Sequence, residues 1–362
     1  MSLDGGAGPS AQARDRQVLS DLRAALGAAR LHRRTTGRVL LELAFHVLLL
    51  AAGTTLFFGT PGFALRGAGL LLAGLGSVGL ATNTHTSAHG ATSERRWVND
   101  ALAVFGYPVV LGLSITYWRR KHNLLHHGSP NVEGIDPDHE FGRFFALARS
   151  QMARGGLLGA YHRRVQGFLF IPAALLMGTN MRFLGLRYAF SRLGAPGPGR
   201  RAAALDLGAF GLHVVLWLVL PAVLFSPVSA LVFYAVRDVL LSVALFAIFV
   251  PAHIPHECPF FAREAAPTDL VLRQTVTTVD FRAGRVAGLF LSGLQYQIEH
   301  HLFPGLSHVH YRLLAPLVKE TLTRHGYPYR QLGWGEALAK SVRVAFDPKP
   351  AVSASVSTGQ PA

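Results

Sequence analysis

Four long apolar runs, at residues 39–59, 63–82, 205–225 and 227–250, constrain this chain more than any other feature. Each is long enough to cross a bilayer as a helix, which takes about 20 residues. The first two are separated by Thr60-Pro61-Gly62 and the last two meet at Ser226-Pro227, so each pair reads as a hairpin with almost no loop. Neither turn is charged. The segments flanking the hairpins, by contrast, hold Arg30, Arg33, Arg34, Arg38, Arg95, Arg96, Arg119, Arg120, Lys121, Arg163, Arg164, Arg200 and Arg201. Basic residues mark the cytoplasmic side of a span, which is where both termini and everything between the hairpins are expected. Two shorter runs, 101–117 and 167–181, are interrupted by Gly or Pro. They are expected at the interface or as re-entrant helices, since crossing would carry the basic segments after them to the far side.

Composition agrees with a membrane protein, because half of the 362 residues are hydrophobic and only 15% are charged. The formal charge of +15 does not indicate nucleic acid: the arginines lie beside apolar spans and not in a basic domain with interleaved aromatics. They serve topology and contact with anionic membrane lipid. The single cysteine, Cys258, excludes an intramolecular disulfide framework and a cysteine-based metal cluster, and reads as a buried, unreactive thiol. Residues 1–37, rich in Ala, Gly and Arg with one amphipathic stretch, have no cleavable signal and read as a cytoplasmic N-terminal tail. A membrane domain is expected over 38–335. Residues 336–362 read as a C-terminal tail expected to be disordered, above all from Pro348 onward.

Of the seventeen histidines, eight fall into groups at the cytoplasmic ends of these runs. His85 and His89 form HTSAH, whose i, i+4 spacing puts both rings on one helix face. His122, His126 and His127 form HNLLHH; there the i, i+4 pair again shares a face and the third ring points about 100° around the helix, where it could reach a second metal. His253 ends PAH, and His300 and His301 lie in QYQIEHHLFP. A lone pair of this kind is usually just a packed pair, but a topology argued from arginines brings all the groups to one face. Eight neutral imidazoles suit iron, zinc, copper or nickel and are too many for one ion, so two metals are expected. Zinc hydrolysis is disfavoured because HExxH is absent. The fold expected is an all-α integral membrane protein, with four transmembrane helices as two hairpins, interfacial helices and a cytoplasmic histidine-rich cap.

HTSAH, HNLLHH and QIEHH resemble the three histidine boxes of the membrane fatty acid desaturases, with Gln297 matching the front-end branch. The resemblance continues through HNLLHHGSPNVEGIDPD, RQTVTTVDF and QYQIEHHLFPGLSHVHYRLLAPLVKE. It implies a non-haem di-iron enzyme with two iron ions as cofactors. Such an enzyme takes O2 and two electrons to place a cis double bond in a fatty acyl chain carried on CoA or on lipid. The implied metal ligands are His85, His89, His122, His126, His127, His253, His300 and His301, with His253 favoured over His256. Gln297 stands where other branches have histidine, as a weak ligand or a partner of metal-bound water. Glu299, Asp136, Asp138 and Asp280 are the acids placed to orient the ligating rings, although Asp136 and Asp138 also suit a turn. Asp280 stands where relatives commonly have Asn, and Gln295 replaces another common Asn. His308 and His310 are expected to hydrogen-bond around the third box, while His32, His46, His139, His162, His213 and His325 are expected to be structural.

No side chain is expected to act as a base, because an alkane C–H is far too weak an acid. The sequence shows no nicotinamide or flavin fingerprint and no cytochrome module, so electrons are expected from a separate ferredoxin or cytochrome with its reductase. Arg119, Arg120 and Lys121 are candidates to bind a head group or an acidic donor. Two alternatives remain. One is hydroxylation or ketolation of a lipid or carotenoid by the same di-iron site. The other is a non-catalytic metal-binding or haem-binding membrane protein or transporter, which would carry histidines at mid-membrane depth. A bacterial inner membrane is the expected location.

Overall fold

The computed structural model describes residues 11–197 and 199–353. Among them, four helical segments are long and apolar enough to cross a membrane: Thr36–Gly59, Phe63–Ala88, Gly199–Leu224 and Pro227–His253. Their apolar windows are only 28%, 44%, 11% and 44% buried, so much of their hydrophobic surface, such as Leu48, Leu71, Val223 and Val228, faces outward. That much exposed apolar surface is explained by lipid.

The first helix, α1 (Ala11–Ala28), precedes the spans. Its residues Val18, Leu22 and Leu26, one turn apart, are buried in a cluster with Val271, Ile298, Leu314 and Val318. Residues 11–28 are therefore a docked helix, not part of a free tail. The two spans α2 (Thr36–Gly59) and α3 (Phe63–Ala88) pack at backbone distance. A Cβ at Gly53 would lie 2.3 Å from the Ala73 nitrogen, and one at Gly76 would lie 2.5 Å from the Leu50 nitrogen, so only glycine permits this approach. The helix α3 continues past the expected end at 82 to Ala88. Its last turns, Asn83 to Ser87, are polar and yet buried, because they serve the site described below.

Next, α4 (Arg96–Val104) runs into a π-helical stretch, Phe105–Leu111. The chain then folds back by 116° through Gly112, whose φ of +70° suits glycine, into α5 (Ile115–Trp118) and a second π-helical stretch, Arg119–His126. This apolar stretch begins just after His89 and ends at His122, two rings that touch, so it returns to the end of the bundle it left. Its end leaves carbonyls without a helical partner, and side chains supply the donors. His213 Nδ1 and Trp217 Nε1 bond the Val109 carbonyl, Arg237 bonds that of Val110, and Arg182 bonds that of Leu111. Arg182 is in turn paired with Asp238 at 2.6 Å. His213 is structural, as expected.

Three helices follow: α6 (Gly156–Arg164), α7 (Gln166–Ala174) and α8 (Met177–Leu193). A 77° bend separates α7 from α8. The third long segment comprises α9 (Gly199–Val214), a π-helical turn Val215–Val219 and α10 (Leu220–Leu224). Ser226 then caps α11 (Pro227–His253) by accepting from the Ser229 nitrogen.

The remainder is built from α12 (Leu270–Val276), α13 (Arg285–Leu291), α14 (Gln297–Leu302), α15 (Tyr311–Arg324) and α16 (Trp334–Phe346). Two short parallel ladders tie it together. In them β1 (Phe260–Phe261) pairs with β4 (Ala351–Val352), and β2 (Asp280–Arg282) with β3 (Gln331–Gly333).

The C-terminal segment departs from expectation, since residues 336–353 are not a loose tail. The inner face of α16 buries Ala337, Ser341, Val344 and Ala345. Lys349 is 4% exposed and donates to the carbonyls of Ile254, Pro255 and Cys258 over the face of Phe260. Low hydropathy misled because the strap is held by backbone pairing and one buried cation. Residues 354–362 lie outside the described residues.

Candidate metal centre

The eight candidate histidines converge in one cluster at the ends of α3 and α11, the π-helical stretch Arg119–His126, and α14. Ligand nitrogens of His85, His89, His122 and His300 lie within 4.8 Å of one another, and those of His126, His253 and His301 form a second such group. His127 stands between the two groups. Its Nε2 is 3.2 Å from His122 Nε2, and its ring stacks on His301 at 4.4 Å.

That placement departs from the α-helical reading of HNLLHH. The His127 nitrogen bonds the His122 carbonyl at 3.0 Å, an i→i+5 bond. A residue five positions on therefore completes the turn that four positions complete in an α-helix. His126 and His127 thus both fall next to His122, and none of the three rings points away.

A pattern in the ring nitrogens tests whether a metal fits. His126 Nδ1 meets Asp136 at 3.0 Å, His253 Nδ1 the Thr277 carbonyl at 3.1 Å, His301 Nδ1 the Gln274 Oε1 at 2.8 Å, and His300 Nδ1 the Tyr311 hydroxyl at 3.3 Å. The first three partners only accept, and Tyr311 spends its proton on the Phe303 and Leu306 carbonyls. Each Nδ1 is therefore the protonated nitrogen, and each Nε2 presents a lone pair to the cluster. Nε2 of His89, His300 and His301 is buried with no protein partner. His85 Nε2 lies 3.0 Å from His122 Nε2. Bare imidazole nitrogens cost too much to bury without a partner, so the donor set fits metal ions.

Burial, and then repulsion from neighbouring rings, holds His127, His300 and His301 well below the ordinary imidazole value. Neutral rings are the form that ligates.

The four acids divide into two pairs. Asp136, fully buried, accepts from His126, from the Asn131 nitrogen at 2.8 Å and from the Asp138 nitrogen at 2.9 Å. Burial raises its pKa, but the His126 and His139 rings outweigh that and hold the carboxyl well below the usual range. Asp138 lies 3.5 Å from His126 and 3.6 Å from His122, and is paired with Lys121.

Asp280 and Glu299 have no bond to a histidine among the described contacts. Asp280 instead accepts the Ile298 nitrogen at 3.0 Å and so fixes the start of α14, and both acids share the Tyr329 hydroxyl at 2.7 and 3.1 Å. Burial pushes Asp280 up to about 6 and, with Asp280 beside it, drives Glu299 well above the carboxylate range. They position the helix that carries His300 and His301, and do not hold the rings.

Gln297 is buried, and its amide nitrogen donates to the Leu294 carbonyl at 2.7 Å, the local bond that any buried glutamine seeks. His308 bonds Thr86 and Glu42, and His310 bonds the Arg33 carbonyl. His256 is exposed. Three ring partners carry no signal in the sequence, Gln274, Thr277 and Tyr311, and neither does Asn131, whose amide ties the His253 backbone carbonyl at 2.9 Å. The motif RQTVTTVDF contains two of them, but only the fold shows which of its residues faces a ring.

Beside the cluster lies a cavity of about 880 Å³. His122, His253, Trp118 and Phe249 line it, as do Leu111, Leu113 and Met181 around the bent helix. Its lining also includes Phe144, Leu169 and Leu176, whose side chains are exposed.

Clustered imidazoles at the end of a greasy cavity in an apolar helical bundle fit a membrane metalloprotein with an apolar substrate. Comparison with known proteins is specific. A family model described as fatty acid desaturase matches residues 60–333, and the chain belongs to that family. It is 28% identical over 292 residues to the sn-1 linoleoyl-lipid 6-desaturase of Arthrospira platensis, covering 78% of this chain and 77% of that protein. It is 27% identical to Delta(8)-fatty-acid desaturase 2 of Arabidopsis thaliana and 29% to human fatty acid desaturase 3, each over 72% of this chain. It spans 58% and 56% of those two proteins. The chain is thus an oxidoreductase of lipid metabolism that desaturates fatty acyl chains.

Proposed function

We propose that the protein is an oxygen-dependent di-iron desaturase that introduces a cis double bond into an acyl chain carried on a membrane lipid. In this reading His85, His89, His122 and His300 would hold one iron and His126, His253 and His301 the other, and His127 would be a further ligand. The observation that carries it is the convergence of the histidine ligand nitrogens in one buried cluster, two of whose rings, His122 and His253, also line the acyl-sized cavity. Bound iron supplies the oxygen chemistry that removes hydrogen from an unactivated methylene, which no side chain can do as a base.

The chain's own residues do the rest. Asp136, Gln274, Thr277 and Tyr311 set the ring tautomers, and Gln297 braces α14. The apolar wall excludes water and holds one methylene against His122 and His253. Burial contributes about 0.8 kcal/mol per methylene, so a long chain binds with few polar contacts. The exposed Phe144, Leu169 and Leu176 suit entry from the bilayer, in keeping with relatives whose names specify a lipid-linked chain. Electrons come from a separate ferredoxin or cytochrome. The basic flanks suggest termini and histidines on the cytoplasmic side, and the Ala-, Gly- and Arg-rich composition suggests a bacterial inner membrane.

The test is a fatty-acid profile by gas chromatography and mass spectrometry, with double-bond location, in a host expressing the protein or its His300→Ala, His301→Ala variant. A new unsaturated species present only with the intact protein supports the reading. A new hydroxylated lipid would replace it with the hydroxylase reading, and an unchanged profile in iron-loaded, substrate-fed membranes supplied with reduced ferredoxin would refute it.

A further inference from the structure

One of the eight histidines differs from the rest. Seven are buried, whereas His89 is partly exposed. Its Nε2 is buried within the cluster without a protein partner, and the residue also lines a second, polar cleft of about 380 Å³. This cleft does not share a lining residue with the acyl cavity. Three arginines from three segments line it: Arg34 before α2, Arg96 on α4 and Arg119 after α5. Exposed Arg95 and Arg120 flank them in sequence. The cleft's acids are Glu94 and Asp100, and Asp100 is already paired with Arg119 at 2.5 Å. The balance around His89, the one histidine of the eight that is not fully buried, is positive.

We infer that this cleft is the docking surface for an acidic one-electron carrier protein, and that electrons enter through the His89 ring. The inference rests on the desaturase reading. Each turnover then takes two electrons from the carrier, one at a time, two hydrogens from the acyl chain and two protons from solvent; O2 leaves as two waters and the carrier leaves oxidised. An electron source must come close to the metal ligands without entering the acyl cavity, and the cleft provides that separate approach. Charge complementarity steers a protein with a negative face to it and makes the encounter salt-dependent. Lys121, expected to join this basic rim, instead pairs with Asp138 and faces the acyl cavity.

The experiment uses the full chain in nanodiscs of neutral phosphatidylcholine, with reduced acidic [2Fe–2S] ferredoxin as the probe. The variants are Arg96→Glu, Arg96→Lys and, as a control on a different surface segment, Arg154→Glu. Docking predicts that Arg96→Glu raises the KM for ferredoxin about tenfold at low salt, with the KM for the acyl substrate and the bound iron unchanged. The difference should shrink as salt rises, Arg96→Lys should restore the KM, and Arg154→Glu should not move it. An unchanged ferredoxin KM and salt slope in Arg96→Glu would overturn the inference. A defect seen only when anionic lipid is added to the nanodiscs would also overturn it, since the arginines would then bind membrane. Single-turnover product from wild-type enzyme reduced with dithionite separates the two readings. Its absence means the desaturase reading has failed, and its presence beside an unchanged KM means that only the docking surface has.

Discussion

Replacing Asp136 by Asn tests whether the carboxylate behind His126 sets that ring's tautomer. Three N–H donors converge on its two oxygens: His126 Nδ1 and the Asn131 nitrogen on Oδ2, and the Asp138 nitrogen on Oδ1. An amide has one oxygen and one NH2 group, so Asp136→Asn keeps the shape and removes one acceptor. In the better orientation the amide oxygen keeps His126 and Asn131, and the NH2 faces the Asp138 N–H. The buried donor left unpaired costs about 1–3 kcal/mol. The lost charge also weakens the hold on His126, and removing such a partner of a ligating ring lowers metal affinity roughly 10- to 100-fold.

Iron affinity measured by competition with a chelator, beside thermal unfolding of the detergent-solubilised protein, reads both effects. The pH dependence has a definite sign. Asp136 is held below its unfolded value, so its stabilisation is present above that value, about 3.9, and is lost as pH falls through the folded value. The variant should therefore show a shallower acid limb. Wild-type iron affinity in a normally folded Asp136→Asn protein would refute the reasoning.

Three further outcomes are expected. Asp280 is raised to about 6 by burial, so its contribution to stability is present below the unfolded carboxylate value and is lost as pH rises through about 6; Asp280→Asn should flatten the fall between pH 4 and 7 in thermal melts, and an unchanged slope would show that burial does not hold the Asp280 carboxyl up. Gly53→Ala, whose Cβ would meet Ala73 and Gly69 backbone atoms at 2.3 and 2.6 Å, should destabilise by about 1–3 kcal/mol, and a melting temperature equal to wild type would mean that α2 and α3 are not so closely packed. Lys349→Met leaves three carbonyls without their donor; the Ala262 amide, which bonds Val352 at 2.9 Å, should exchange hydrogen faster, and unchanged protection there would show that the strap is held by β pairing alone.

What could be read from the sequence was what depends on neighbours along the chain. The four spans are set by hydropathy over about 20 residues, and their positions were legible to within a few residues. Their ends were not, because α3 stays helical through Thr82–Ala88, where its polar side chains are buried by contacts from distant segments, Thr82 with Ser292 and Thr86 with His308. The histidines were legible as a set because their spacing and the arginine topology agreed. Their division into two groups was not, since it separates His122 from His126, which the i, i+4 spacing of HNLLHH puts on one face.

The partners of the rings were the least legible. Asp136, ten residues from His126, lay within reach of a local argument, whereas Gln274 and Thr277 meet His301 and His253 across 27 and 24 residues. A ligand has to be a histidine or one of a few alternatives, so its identity is visible in sequence. An acceptor for Nδ1–H can be a carboxylate, an amide, a hydroxyl or any backbone carbonyl, and here all four occur. Chemistry that so many groups can supply leaves no residue signature, and only the fold assigns it.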